Sequence, residues 1–204
     1  MRITVLVLLA FSSLLGSSKG LHVRYVAHVP EGLSEEQLTL IPEYWDLRMT
    51  DEGFRMEEVG GAKRVWVGTS DSESFHILFE LFGHRIALLE PCAEPTSWRK
   101  GTAPAPPLPL FDPASPVIAG EEAVAYEWEG QGVWLTAARS EAPCLWGFPR
   151  LPVAFPLPES MSVWMVAEFM GAFEGDVDCS VPNGYRQAST EELGRLLPDL
   201  KLAE

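Results

Sequence analysis

The stretch LPVAFPLPESMSVWMVAEFMGAFEGDVDCSV, residues 151–181, is the densest apolar run outside the extreme N-terminus. Its reading decides the second half of the chain. Pro156 and Pro158 break any helix early, because proline lacks the amide donor and clashes with the preceding turn. Gly171 and Gly175 break it late. Glu159, Glu168 and the two prolines exclude a membrane helix. Between the breakers, a helix would put Met161, Trp164, Met165 and Glu168 on one face. A strand would put Val163, Met165, Ala167 and Phe169 on one face, with Trp164 and Glu168 on the other. The alternation of DVDCSV after a short glycine-bounded segment favours strand, turn and strand. On that reading Trp164 lies beside a carboxylate on a half-exposed face where a peptide strand docks. Trp164, Glu168 and Trp128 are the candidate binding residues.

Upstream, AVAYEW and VWLTA flank Gly130 and Gly132 and read as a hairpin. Downstream, STEELGRLLPDL reads as a short terminal helix capped by Ser189 or Thr190. Residues 117–204 are therefore expected to form a β-rich subdomain with a C-terminal helix.

Residues 91–116 hold eight of the 17 prolines, so they can be neither a helix nor a central strand. They read as a semi-rigid linker between two halves. In residues 21–90, LHVRYVAHV alternates as a strand. Ser34 and Gln37 stand at capping-box positions before a helix. FRMEEVGG and KRVWVGTS read as paired strands about Gly60-Gly61. DSESFHILFELFG reads as a second helix, with Phe75, Leu78, Phe79 and Phe82 at helical spacing and Gly83 as its stop. HRIALLE reads as the last strand. The order β-α-β-β-α-β predicts an α+β, ferredoxin-like base.

The first 20 residues have the form of a signal peptide: Arg2, an apolar run to Leu15, then small residues. As a helix the run would span about 21 Å, short of a bilayer core. No stable membrane span is expected after cleavage, and the expected location is periplasmic or secreted. The formal net charge of −14 disfavours nucleic acid and favours a solvated acidic surface or a basic partner. Outside the cytoplasm Cys92, Cys144 and Cys179 permit one disulfide, with three pairings open.

Catalytic and cofactor motifs are missing. There is no GxSxG, Walker loop, GxGxxG or CxxC, so no cofactor and no structural zinc are expected. Glu57-Glu58 and Glu121-Glu122 are adjacent pairs, which point opposite ways on a strand and cannot share a substrate. His22 and His28 are about 20 Å apart along one strand, too far for one metal. An EF-hand loop starting at Asp176 fails at its glycine and glutamate positions. Trp66, Trp128, Trp134, Trp146 and Trp164 either pack between the two halves or form an aromatic patch for peptide or sugar.

Gly61, Arg64, Val65, Val67, Asp71, Gly83, Ala87, Leu88 and Leu89, followed by Val163, Val166, Glu168, Met170, Gly171, Gly175, Ser189, Glu191, Glu192 and Leu196, follow a recognisable order. It resembles the first periplasmic domain of preprotein translocase subunit SecD. The resemblance implies a ferredoxin-like base, a β-rich head and a stand-alone extracytoplasmic domain that binds polypeptide or a secretion or envelope partner. Leu157-Pro158-Glu159-Ser160 replaces the family's Leu-Asp-Gly turn. The membrane bundle that carries the family's proton-coupled work is absent from these residues, so that activity is not implied. The expectation is a non-enzymatic binding domain; the alternative is a secreted hydrolase with a site of non-local carboxylates or a cysteine.

Overall fold

Six strands open the chain as a continuous antiparallel meander: β1 (Lys19–His28), β2 (Pro42–Thr50), β3 (Gly53–Gly60), β4 (Val65–Thr69), β5 (Ser74–Leu81) and β6 (His84–Pro91). The computed structural model describes residues 19–93, 98–109, 111–128, 131–138, 142–157 and 163–194. Residues 1–18 of the expected signal peptide lie outside them; Lys19 and Gly20 begin β1. After the meander come β7 (Arg99–Lys100), β8 (Val117–Ile118), β9 (Glu121–Trp128), β10 (Gln131–Thr136), β11 (Pro152–Pro156), β12 (Trp164–Glu174) and β13 (Arg186–Ser189). They join one 13-stranded sheet in the order β13-β6-β5-β4-β3-β2-β1-β12-β11-β10-β9-β7, with β8 paired to β9. The pairings are antiparallel except β13 on β6.

This architecture corrects the ferredoxin-like α+β expectation. Residues 71–83 are not a helix. They hold β5 and the two-residue loop Phe82-Gly83, where both residues have positive φ (49° and 74°), as a tight hairpin turn requires. β5 has apolar residues on both faces: Phe75 and Ile77 pack toward the main core, and Leu78 packs with Val67 and Ala87 on the other side. A strand covered on both faces loses its alternation. The first expected helix exists as α1 (Glu35–Leu40), with the Ser34–Gln37 capping box formed, but it buries no residue and covers no sheet face. β1 and β6 lie in one sheet, five strands apart.

The two halves share that sheet, because β1 pairs with β12. The described residues between 98 and 111 also pack against that sheet. β7 pairs with β9, the Trp134 indole donates to the Pro104 carbonyl at 2.9 Å, and Phe111 meets Trp134 edge-on with centroids 4.8 Å apart.

Inside the curled sheet lies one aromatic core. Tyr25, Trp45, Trp66 and Phe155 are buried there, with Trp146 and Phe148 packed against them. Trp45 meets Trp66 at 5.5 Å and Phe155 at 6.0 Å, so strands distant in the sheet touch across the interior. A 3-10 turn (Cys144–Trp146) brings Trp146 onto Tyr25, and the Cys92–Cys144 disulfide ties that turn to the end of β6. Of the tryptophans singled out in the sequence, Trp66 and Trp134 are buried, and Trp146 and Trp164 pack against the core.

Residues 151–181 are strands first and loop later. β11 and β12 form as expected and pair antiparallel, but DVDCSV is irregular. β12 carries a bulge opposite Arg24/Tyr25. Val163, Met165 and Ala167 face the core, and the extra residue Glu168 then shifts the register, so Phe169 emerges on the outer face, 48% exposed. The terminal helix begins at 190; Ser189 and Glu192 exchange bonds at its start.

Candidate functional site

The end of the sheet formed by the β2–β3 hairpin carries an open cleft of about 410 Å³. Its floor is apolar: Met49 and Phe54 from the inner face, and Phe148 from the segment after the 3-10 turn. Phe54 is fixed by Phe75 at 6.4 Å, and Phe148 by Trp98 at 5.1 Å. Thr50, Asp51, Thr69 and Ser70 supply polar walls. The Ser70 hydroxyl donates to the Asp51 carbonyl at 2.6 Å, and its amide to the Glu52 carbonyl at 3.0 Å, which locks the two turns together. Cys144 forms the far wall, held by the disulfide and by the Ala93 amide donating to its carbonyl.

Exposed carboxylates crowd this end: Asp51 and Glu52 in one turn, Asp71 and Glu73 in the next. Asp178 lies close by, since its charge and that of Glu52 both act on Cys179. Two bonds from Ser180 hold the Asp178 carboxyl below the usual range. A field of this sign concentrates cations at the mouth of the cleft.

On the opposite face of the same strands, separated from the cleft by Gly53 and Thr69, lies a groove of about 360 Å³ lined by Cys179, His76, Ser72, Ser74 and Gln187. Gly53 makes room for the thiol: a Cβ there would stand 2.9 Å from Cys179 Sγ and 2.2 Å from the Gly68 carbonyl. Burial pushes the Cys179 thiol up, and Asp178 and Glu52 push it further; burial pushes the His76 imidazole down. Near neutral pH the groove therefore holds a protonated thiol and a neutral imidazole. A nucleophilic cysteine needs the opposite arrangement, a depressed thiol beside a cation. The adjacent Glu57 and Glu58 form no acid–base pair either. Glu58 is buried and accepts from Arg64 (2.9 Å) and the Ala62 amide (2.6 Å), while Glu57 on the other face binds Arg55. Among the described residues no group of His, Cys, Asp and Glu is arranged to hold a metal ion.

The residues expected to bind fall elsewhere. Trp164 lies on the outer face, packed against the core, between His28 of β1 and Pro156 of β11. β12 is paired on both sides, so no peptide strand can add at Trp164. Glu168 is the bulge residue on the open part of β12; the Arg24 guanidinium is raised chiefly by its bond to Asp46, and the Glu168 charge adds a smaller push in the same direction. Trp128 ends β9; its side chain lies outside the described residues. Of the three cysteines, Cys92 and Cys144 pair and Cys179 is free. The cleft was not foreseen. Its floor residues come from β2, β3 and the segment at 148, and no spacing in the sequence links them. The one available signal was the acid content of the turns at 51–52 and 71–73.

No protein-family model matches the chain, and no curated protein matches it. Its fold is similar to part of the solved structure of PNGF-II in space group C2, with a TM-score of 0.56 and 9% sequence identity over 90% of this chain. The match covers 32% of that protein, so the chain spans about a third of its length. At this identity the likeness shows the fold alone.

Proposed function

We propose that the chain is a non-enzymatic extracytoplasmic domain that binds a polypeptide partner of the envelope or secretion apparatus. The observation that carries this reading is the apolar-floored, acid-rimmed cleft beside Cys144. An aliphatic or aromatic side chain of a partner fills the floor of Met49, Phe54 and Phe148. A neighbouring lysine or arginine meets Asp51 and Glu52. Burying one such side chain is worth about 1.5–3 kcal/mol. The exposed charge pairs add less but speed encounter and set partner choice. The disulfide supports an oxidising compartment, since such bonds are rare in the cytosol. The proposal does not draw on the SecD resemblance, whose ferredoxin-like base this sheet replaces. The state of the Cys179–His76 groove gives the hydrolase alternative no support.

The test is calorimetric titration of the full chain with an acetylated, amidated Leu-Lys-Leu peptide and its Leu-Glu-Leu counterpart. The lysine peptide should bind more tightly, and more weakly as salt rises. Asp51→Asn should cost about tenfold in affinity with the melting point unchanged. Equal affinity for both peptides, or no effect of Asp51→Asn, would overturn the assignment to this cleft.

A further inference from the structure

Among the described residues, the outer face of the sheet is covered at both ends and open in the middle. At one end Phe111 and Pro104 lie over Trp134 of β10. At the other, Val181 and Tyr185 lie over Val67, Leu78 and Ala87. Between them β12, β1 and β2 present two neighbouring rows. One runs Phe169, Arg24, Asp46; the next runs Gly171, His22, Arg48.

Asp46 organises this window. Its side chain is 12% exposed, and both oxygens are occupied: Oδ1 by His22 Nε2 at 2.8 Å, Oδ2 by Arg24 at 2.9 Å. Arg24 also lies over the Tyr44 ring at 4.8 Å, which fixes the plane of its guanidinium. Arg48 is placed differently. Its Nε stands 3.6 Å from Asp46, an ion-pair distance beyond a hydrogen bond, and its side chain is 58% exposed. Asp46 accepts from His22 at Oδ1 and from two Arg24 nitrogens at Oδ2, while the exposed Arg48 guanidinium makes no hydrogen bond to it and keeps donors for a ligand. The bulge places the half-exposed Phe169 ring beside this pair, edge-on to His22 at 5.3 Å. Bulges re-aim side chains in this way at functional surfaces. Gly171 completes the arrangement, because a Cβ there would stand 2.7 Å from Phe169 Cζ.

We propose that this window is a second binding site, distinct from the end cleft, for a carboxylate side chain of a polypeptide flanked by an apolar residue. The carboxylate is held by the fork of Arg48 with help from Arg24, the geometry in which guanidinium and carboxylate form two parallel bonds. The apolar neighbour lies on Phe169. Arg24 and Arg48 bring two positive charges that Asp46 and Glu168 offset, so selection rests on the donor geometry of the exposed Arg48 guanidinium and not on net charge. His22 and Asp46 position the arginines. This site stands whether or not the cleft takes a lysine.

The experiment titrates the full chain, labelled for amide and arginine side-chain NMR, with acetyl-Leu-Asp-Leu-amide, acetyl-Leu-Asn-Leu-amide and inorganic phosphate. The aspartate peptide should shift the Arg48 and Arg24 side-chain signals and the amides of 168–171, and bind about tenfold more tightly than the asparagine peptide. Arg48→Gln should remove that preference, and Phe169→Ala should weaken the aspartate peptide with the fold intact. Gly171→Ala, which displaces the ring and leaves every charge in place, should weaken it as well. The proposal fails if the asparagine peptide binds equally, if Arg48→Gln keeps the preference, or if phosphate binds more tightly than the aspartate peptide.

Discussion

The Tyr25 hydroxyl donates to the Pro152 carbonyl at 2.9 Å, joining residues 127 apart in sequence at the centre of the core. Tyr25 is fully buried between Trp146 and Phe155. Phenylalanine keeps the ring but leaves that carbonyl without this donor, so Tyr25→Phe should cost about 1–3 kcal/mol in urea unfolding. Burial also pushes the Tyr25 hydroxyl well above its ordinary 10.0. The unfolded chain therefore loses this proton first as pH rises. Stability from Tyr25 is full below pH 10 and falls above it. Tyr25→Phe should flatten that alkaline slope; an unchanged slope would mean the hydroxyl is open to water in solution.

The disulfide should contribute more than any single core bond. Cys92 and Cys144 are 52 residues apart, and closing a loop of that size removes about 4 kcal/mol of unfolded-chain entropy. Reduction, or Cys92→Ala with Cys144→Ala, should lower the urea midpoint accordingly. Thiol titration of the unreduced, unfolded chain should find one thiol, Cys179, and after reduction all three cysteines.

How far the sequence is legible varies by element, for physical reasons. The hairpin of β9 and β10, the capping box at Ser34 and the strand character of β11 and β12 follow from local signals: period, caps and turn residues. The fold as a whole does not. The error at 71–83 arose because β5 is apolar on both faces and ends in a Phe-Gly turn that imitates a helix stop. The proline-rich stretch was read as a linker because proline excludes helix and central strand; it leaves open packing against a sheet, which is what Pro104 and Phe111 do. In the window around Asp46 all the residues were visible, but the register that brings His22, Arg24 and Arg48 together was not.

His76 should leave a trace on the acid side. Burial holds its imidazole below the ordinary 6.5, so the unfolded chain takes up this proton first as pH falls. Its share of stability is full above pH 6.5 and is lost on acidification through that value. His76→Gln should reduce the loss of melting temperature between pH 7 and pH 5. An identical loss in the variant would place His76 in water, outside the groove with Cys179.

Trp164 and Phe169 are five residues apart on β12 and should respond in opposite ways to truncation. By simple alternation Trp164 and Phe169 would lie on opposite faces; the bulge at Glu168 puts both on the outer one, yet their surroundings differ. Trp164 sits between β1 and β11 and packs against the core, whereas Phe169 is half-exposed in the open window. Trp164→Ala should therefore remove packed surface and cost about 3 kcal/mol in unfolding free energy. Phe169→Ala removes a ring touching chiefly His22 and should stay within about 1 kcal/mol of the parent. For binding the order reverses: Phe169→Ala should weaken the aspartate peptide while Trp164→Ala, measured where it is still folded, leaves its affinity unchanged. Should Trp164→Ala prove neutral to stability while Phe169→Ala unfolds the chain, the register shift at Glu168 is absent in solution, and the rows around Asp46 must be redrawn.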